Sequence, residues 1–443
     1  MHFETTYRLE DFILNTRWEA LPAEVRERMK GCFVDLMGAL VSGSRSEQFE
    51  VGLRLARTVF APGAIPVVGT QERFGFLGAA AAMGHSSNAY DIDDGHNLIR
   101  AHPGTSFVGP VLAAACELDA GRDDFLTAML VAYETTIRMG AAIMDYYRYA
   151  HSSGTFGAVG TAAGVGRLRG FSREQLNNVL SVAEFNAPLV PGIRSVEYPS
   201  MNKDGVPFGV LAGILALEDC RCGFTGNKHL LEADEYRHYL DDLGENYEVM
   251  ALYFKPYPCC RWAHPAIDAC LGLMREHHLV WTDIAHVTVR TFRRATLLSK
   301  IVPQTADEAQ YNIAYPVAAA LVFGDFGMAQ VENLGDKRVT EMMGRLSFET
   351  DEALDAQFPA RRICRAEIET ADGRRFLSGE CEPRGEAAEH IGTDWLCDKF
   401  RRITAPALTD AGQEAVLEMI PGERDLPVRR IVETVNLPVY RRS

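Results

Sequence analysis

The chain has 443 residues, 47% of them hydrophobic and 24% charged, with a formal net charge of −15. That length exceeds what one hydrophobic core usually supports, so about two domains are expected. The acidic balance speaks against nucleic acid and against a membrane surface as partners, and an anionic substrate would need a local cluster of Lys and Arg to overcome it.

In chain order, M-H-F-E-T-T-Y-R-L-E-D lacks the basic region and apolar stretch of a secretion signal, and no later apolar run is long enough to span a bilayer. Helical character runs from about residue 7 to 60. Pro22 opens a stretch with Val25, Met29, Phe33, Leu36, Met37 and Leu40 at helical spacing, and Gly43 follows at its end. Residues 75–85, 105–120, 123–145 and 155–170 read as helices rich in Ala and Gly, small enough for close backbone approach in a tight bundle. Ser172 starts another helix, residues 186–207 are irregular, and Phe208 to Leu217 is helical again. No convincing run of strands precedes residue 250. Alternation then appears at 286–292 and at 365–370, where Asp372-Gly373 signals a hairpin into 374–378, with a third possible strand at 344–349. These patterns predict a mainly α protein with a smaller α+β part at roughly 267–397. The tail from about 398 is polar, with helical pieces. None of the ten cysteines forms C-x-x-C, so they read as mostly buried free thiols in a reducing cytoplasm.

The chemistry concentrates in Ala89 to Gly104, A-Y-D-I-D-D-G-H-N-L-I-R-A-H-P-G. Asp91, Asp93, Asp94, His96, Arg100 and His102 share a segment that Gly95 and Pro103-Gly104 mark as loop, and acid/base groups on such a loop suggest a site. The alternative is a helix end with solvated acids. The EF-hand template fails, because Gly95 is fifth and His102 twelfth from Asp91, and with no H-E-x-x-H spacing no metal is expected. The chain has no G-x-S-x-G, no G-x-G-x-x-G after a strand and no Walker lysine, so nucleotide cofactors are not expected either. Four further segments carry candidates. His151 precedes G-T-F-G, although such a histidine alone is more often a structural one. Lys203 lies in N-K-D-G, where a solvated lysine is the plain alternative. In K-P-Y-P-C-C-R-W-A-H-P, Lys255, Arg261 and His264 converge on one helix start. Tyr315 lies in N-I-A-Y-P, where a core role is equally compatible.

Taken together and in order, D-x-D-D-G-H…A-H-P-G, His151 before G-T-F-G, the N-K-D-G lysine, K-P-Y-P-C-C-R-W-A-H-P-A-I-D and N-I-A-Y-P-V-A-A-A-L resemble the MmgE/PrpD superfamily. That family includes 2-methylcitrate dehydratase, cis-aconitate decarboxylase and iminodisuccinate epimerase. The resemblance implies a large all-helical domain from both chain ends (1–266 and 398–443) and an inserted α+β lid (267–397). It also implies a homodimer, a site between the domains and chemistry without a cofactor on a small di- or tricarboxylate. Carried over residue by residue, it places Asp91, His102, His151, Lys203, His264 and Tyr315 in the site; all of these except His264 are expected to be catalytic, and His264 is expected to bind substrate with His96, Arg261 and Asp94. Gly95 stands where the dehydratase and decarboxylase members usually have Thr, and His96 is expected to replace the missing hydroxyl. The shared difficulty is charge building on a carbon next to a carboxylate. That needs fixed cations, with Lys203, Arg261, Arg194 and Arg100 as candidates, and an imidazole to move the proton. The expected order of activities is dehydration, then isomerisation or epimerisation, then decarboxylation. A carboxylate-binding helical protein without activity is the alternative from another class.

Overall fold

The computed structural model describes residues 1–147, 152–422 and 424–442. It is mainly helical, and no helix among the described residues is long and apolar enough to cross a membrane. The helix Ser153–Leu168 sits at the centre of the larger core, packed against Thr105–Leu118, Arg122–Tyr146, Arg173–Asn186 and Val206–Arg221. Its sequence S-G-T-F-G-A-V-G-T-A-A-G-V-G-R-L explains how one helix reaches four others. A Cβ at Gly157 would overlap Ser106, and one at Gly209 would overlap the backbone of Gly154. Small residues remove the side-chain layer between axes, so backbones approach closely and the start of this helix is held in place. The N-cap Ser172 and Gln175 form the capping box that begins Arg173–Asn186, as the sequence signals.

The tail packs on the beginning. Thr393–Thr404 lies along Ala23–Gly43, where Gly31 and Gly38 make room for Leu396 and Ile403. Buried residues from 9 to 254 and from 396 to 435 form one hydrophobic cluster. A second cluster gathers mostly residues 257–368 around a four-stranded sheet. Its order is Leu346–Thr350, Ile284–Thr291, Cys364–Thr370, Arg375–Leu377, with the first pair parallel and the others antiparallel. The expected hairpin is present, with Gly373 at φ 85° in its turn.

Strands also occur before residue 250, which the sequence reading does not anticipate. Pro62–Pro66 pairs with Arg73–Phe74, and Asp94–His96 pairs with Leu252–Phe254. Pieces of two to five residues are too short to show alternation. The second pair matters most, because it docks the acidic loop against the segment leading to Lys255. All ten cysteines are free; Cys32, Cys116, Cys259, Cys270 and Cys364 are buried, and Cys222 is exposed.

Candidate active site

The acidic loop is held from several sides. Asp91 and Arg100 both have φ 51°, a left-handed conformation costly for non-glycine residues and frequent where function demands a particular backbone. The Asp94 carboxylate accepts from the Gly104 amide at 3.1 Å and from the Tyr133 hydroxyl. Burial pushes this carboxyl up to about 7, helped by the charges of Asp35 and Asp93 and opposed by the bond from Tyr133. Asp94 therefore pins the loop to the helix Thr105–Leu118 and faces the interior, not a ligand.

His102 stands at the centre. Its amide donates to Ser153 Oγ at 2.9 Å, and Ser153 in turn donates to Asp204 Oδ2 at 3.2 Å. The closely packed start of Ser153–Leu168 thus sets the imidazole and Asp204 in register. Nδ1 lies 2.8 Å from the Asp94 carbonyl and 2.8 Å from Asp93 Oδ2. Both partners only accept, so Nδ1 carries a proton. Nε2 is left facing Asp91 Oδ1 at 3.4 Å, Lys255 Nζ at 3.5 Å and Asp204 Oδ2 at 3.7 Å. Burial and the Lys255 ammonium pull the imidazole down, but Asp93 and Asp91 outweigh them and it is pushed up to about 9. At neutral pH it is an imidazolium. Asp93, which also accepts from Asn88 Nδ2 at 2.8 Å, stays ionised: burial raises its carboxyl, while His102 and Lys255 lower it further.

Lys255 is fully buried and binds Asp91 twice, at the carbonyl (3.0 Å) and at Oδ1 (2.7 Å). Burial disfavours its charge, but Asp91 and Asp93 raise it above the ordinary lysine value and keep the ammonium charged. Asp91, Asp93 and His102 offer ligand atoms within 4.8 Å of one another, the spacing of a metal site, but the ammonium already fills the place of a cation there. A second such group, Glu10, His229 and Glu232, lies buried under the N-terminal segment, where Glu232 accepts the amides of Thr6 and Tyr7 at 2.7 and 3.2 Å.

These groups open onto a cavity of about 450 Å³. Asp91, His102, Asp204 and Lys255 form its inner end, and Arg100, Arg261, Arg293, Arg294 and Arg362 also line it, with Tyr253 and Tyr311. Trp262, Phe358, Ile193 and Val196 supply an apolar wall. Five arginines, Lys255 and the His102 imidazolium against two carboxylates, in a chain of net charge −15, make a site for a polyanion.

Of the sequence-derived candidates, Asp91, Arg100, His102 and Arg261 line this cavity. Arg261 stacks over the Tyr253 ring at 4.6 Å and pairs with Glu386 at 2.8 Å. His151 lies outside the described residues. Lys203 is brought to the acidic loop but not into the cavity wall. Its ammonium donates to the carbonyls of Asn88 (3.1 Å) and Ala89 and to Gln310 Oε1 (2.9 Å), and pairs with Asp307 at 3.2 Å, which fastens the start of the loop. Tyr315 is buried with its hydroxyl on the Gln330 carbonyl at 2.7 Å, because its helix is apolar on every side; Tyr311 reaches the cavity instead. His264 lies behind the wall. It accepts from Arg261 Nη1 at 3.3 Å, donates to the Cys259 carbonyl at 3.0 Å, and is held neutral by burial and the nearby Arg261 and Lys255 charges. Arg194, weighed as a further cation, is also absent from the wall.

His96 turns toward Glu248, 3.5 Å away, and does not supply the hydroxyl missing at position 95. Tyr253 takes that space, since a Cβ at Gly95 would overlap its ring and hydroxyl. Gly95→Ala is therefore expected to cost about 1–3 kcal/mol by overpacking. Thermal denaturation reads this directly, and an unchanged melting temperature would show that the ring moves aside freely.

At the inner end of the cavity, Lys255, noted in the sequence only for its place before a helix start, and Asp204 are the residues that the sequence reading leaves out of its site. Both sit inside quoted motifs, one residue upstream of the first proline of P-Y-P and one after Lys203. The available signal was the charge itself, next to a turn.

Comparison with known proteins agrees with the order of motifs. Residues 7–240 match the MmgE/PrpD N-terminal domain and residues 257–420 the MmgE/PrpD C-terminal domain. The chain is 22% identical to a cis-aconitate decarboxylase of Aspergillus terreus, over 96% of this chain and 94% of that protein. It is 25% identical to the cis-aconitate decarboxylase-like protein oryM of Aspergillus oryzae, over 74% of this chain and 75% of that protein.

Proposed function

We propose that this chain, which belongs to the MmgE/PrpD family, is a lyase that eliminates water from a small hydroxylated di- or tricarboxylate using only its own side chains. The observation that carries the reading is an imidazolium, His102, set 3.7 Å from a carboxylate, Asp204, at the inner end of a cationic cavity. Lys255 and Arg261 hold the carboxylate next to the reacting carbon. Asp204 takes the proton from that carbon. The electron pair passes into the carboxylate-stabilised carbanion and then into the new C=C bond as the C–O bond breaks. His102 gives its proton to the departing hydroxide, which leaves as water. Proton return from Asp204 to His102 across 3.7 Å restores both groups, so the cycle balances. The acid and the base lie close together, which favours elimination from one face over inversion, where groups on two faces are needed. In this reading the sheet-bearing part, 267–397, acts as the lid, bringing Arg293, Arg294, Leu297, Tyr311, Phe358 and Arg362 to a wall whose other residues come from the helical part.

The names of the Aspergillus relatives favour a second reading, decarboxylation. There the carbanion arises by loss of carbon dioxide, and the same imidazolium protonates carbon without a base. Incubation with hydroxy- and unsaturated di- and tricarboxylates in D₂O separates the two. New absorbance from a conjugated acid with water loss supports dehydration, and carbon dioxide release with one deuteron gained at carbon supports decarboxylation. Folded protein that leaves the whole panel unchanged would defeat both.

A further inference from the structure

The cavity has a second pole that the reaction described above does not use. Asp91, His102 and Lys255 are buried at its inner end, whereas Arg100 and Arg294 are exposed at its outer end. Neither Arg100 nor Arg294 has a carboxylate partner among the described residues. Arg362, 5% exposed, has only the Asn97 side-chain oxygen on its guanidinium, and its Nε is buried without a partner. The other two arginines of the cavity are different: Arg293 pairs with Asp355 at 3.5 Å and Arg261 with Glu386 at 2.8 Å.

We infer that Arg100, Arg294 and Arg362 form a clamp for a carboxylate of the substrate remote from the reacting carbon, so that the enzyme selects tricarboxylates over dicarboxylates of the same backbone. Three guanidinium groups from three parts of the chain converge: Arg100 from the acidic loop, Arg294 from the turn after Ile284–Thr291, and Arg362 from the turn before Cys364–Thr370. Like charges brought together without acids repel. Burial and the charges of Arg294 and Arg362 make Arg100 a weaker base than a free guanidinium, which is the signature of an unmet counter-ion. A carboxylate accepting from two of these forks relieves the repulsion and gains charge-assisted hydrogen bonds. The left-handed backbone of Arg100, φ 51°, holds its side chain at this end at a conformational cost. Trp262, Phe358, Ile193 and Val196 line the same cavity, so the ligand between its two charged ends is hydrocarbon.

The inference rests on the cavity being the substrate site, and its test reads binding without turnover. Calorimetric titration would compare propane-1,2,3-tricarboxylate with methylsuccinate, which keeps two neighbouring carboxylates and lacks only the remote terminal one. The native protein should bind the tricarboxylate about tenfold tighter, the worth of one charge-assisted contact. Arg294→Gln and Arg100→Gln, both at exposed positions, should each remove most of that difference while leaving methylsuccinate affinity within about twofold. Equal losses for both ligands, or none, would reduce the three arginines to a diffuse positive field and overturn the clamp. Inorganic phosphate that competes with the tricarboxylate more strongly than methylsuccinate does would overturn the carboxylate assignment in favour of a phosphate site. A protein that discriminates as expected yet turns nothing over keeps the clamp and loses only the lyase reading.

Discussion

Replacing His102 by asparagine is expected to lower kcat by about 10²–10⁴-fold, the usual worth of a positioned general acid, with a much smaller change in KM. Asparagine keeps an amide donor for the Asp94 carbonyl, which His102 Nδ1 contacts at 2.8 Å, so the loop should hold its shape while the transferable proton is gone. The pH dependence gives an independent check. His102 is raised to about 9 in the folded protein, against about 6.5 for a free imidazole. A raised imidazole is protonated at and below neutral pH, so a reaction using it as acid should be level from neutral pH up to about 9 and fall about tenfold per pH unit above it, with a separate acid limb where the carboxylate base takes up a proton. Stability follows the same sign. The contribution from the bound proton is fully present below about 6.5 and is lost as pH rises through about 9. The asparagine variant should lose both features. Full turnover in that variant, or a native profile flat through pH 9, would take the imidazolium out of the reaction.

Much of the helical frame was readable from residue pattern, for definite reasons. Pro22 and the spacing from Val25 to Leu40 mark a long helix that the structure places at Ala23–Gly43, and Asp372-Gly373 marks a turn few other dipeptides form. The acidic loop was readable because charge, Gly and Pro crowd into one segment. What stayed hidden was direction. Lys203 and Lys255 each follow a short polar or aromatic stretch, and nothing local says which ammonium turns into the cavity. The three-residue pairing of Asp94–His96 with Leu252–Phe254 decides it by laying Lys255 beside Asp91, across more than 150 positions of chain. Tyr311 ends the short helix Ala306–Gln310 and Tyr315 lies in the next, Ala314–Phe323, but A-Y-P-V-A-A-A-L-V-F is apolar all round and so gives no face to read. The arginines of the outer pole come from turns far apart in sequence, and only packing brings them together.

Lys399→Met is expected to destabilise the fold by about 3–5 kcal/mol, far beyond an ordinary surface change in a tail helix. Lys399 is 3% exposed; its ammonium lies 2.5 Å from Asp35 Oδ1 and donates to the Ile92 carbonyl at 2.6 Å. Apart from this ion pair, neither oxygen of Asp35 finds a hydrogen-bond partner among the described residues. Burial raises Asp35 and lowers Lys399, each being offset in part by its partner, so the pair stands only while both are present. With methionine at 399 the buried carboxyl rises further and must take up a proton on folding. An acid raised in the folded state loses stability as pH climbs above its unfolded value, near 3.9, so urea unfolding should show a larger deficit at pH 8 than at pH 5. Asp35→Leu combined with Lys399→Met should recover most of the loss, since well-packed apolar replacements of a buried pair are often neutral. A single-variant cost under about 1 kcal/mol, or one independent of pH, would mean that solvent reaches the pair. The Ile92 carbonyl lies between Asp91 and Asp93, the two carboxylates that hold His102 charged. A methionine at 399 therefore also frees the loop behind the imidazolium, and turnover should fall with stability even though Lys399 touches no ligand. The helix Thr393–Thr404 belongs to the site through this one ammonium, which holds the acidic loop from behind while Lys255 holds it from the cavity side.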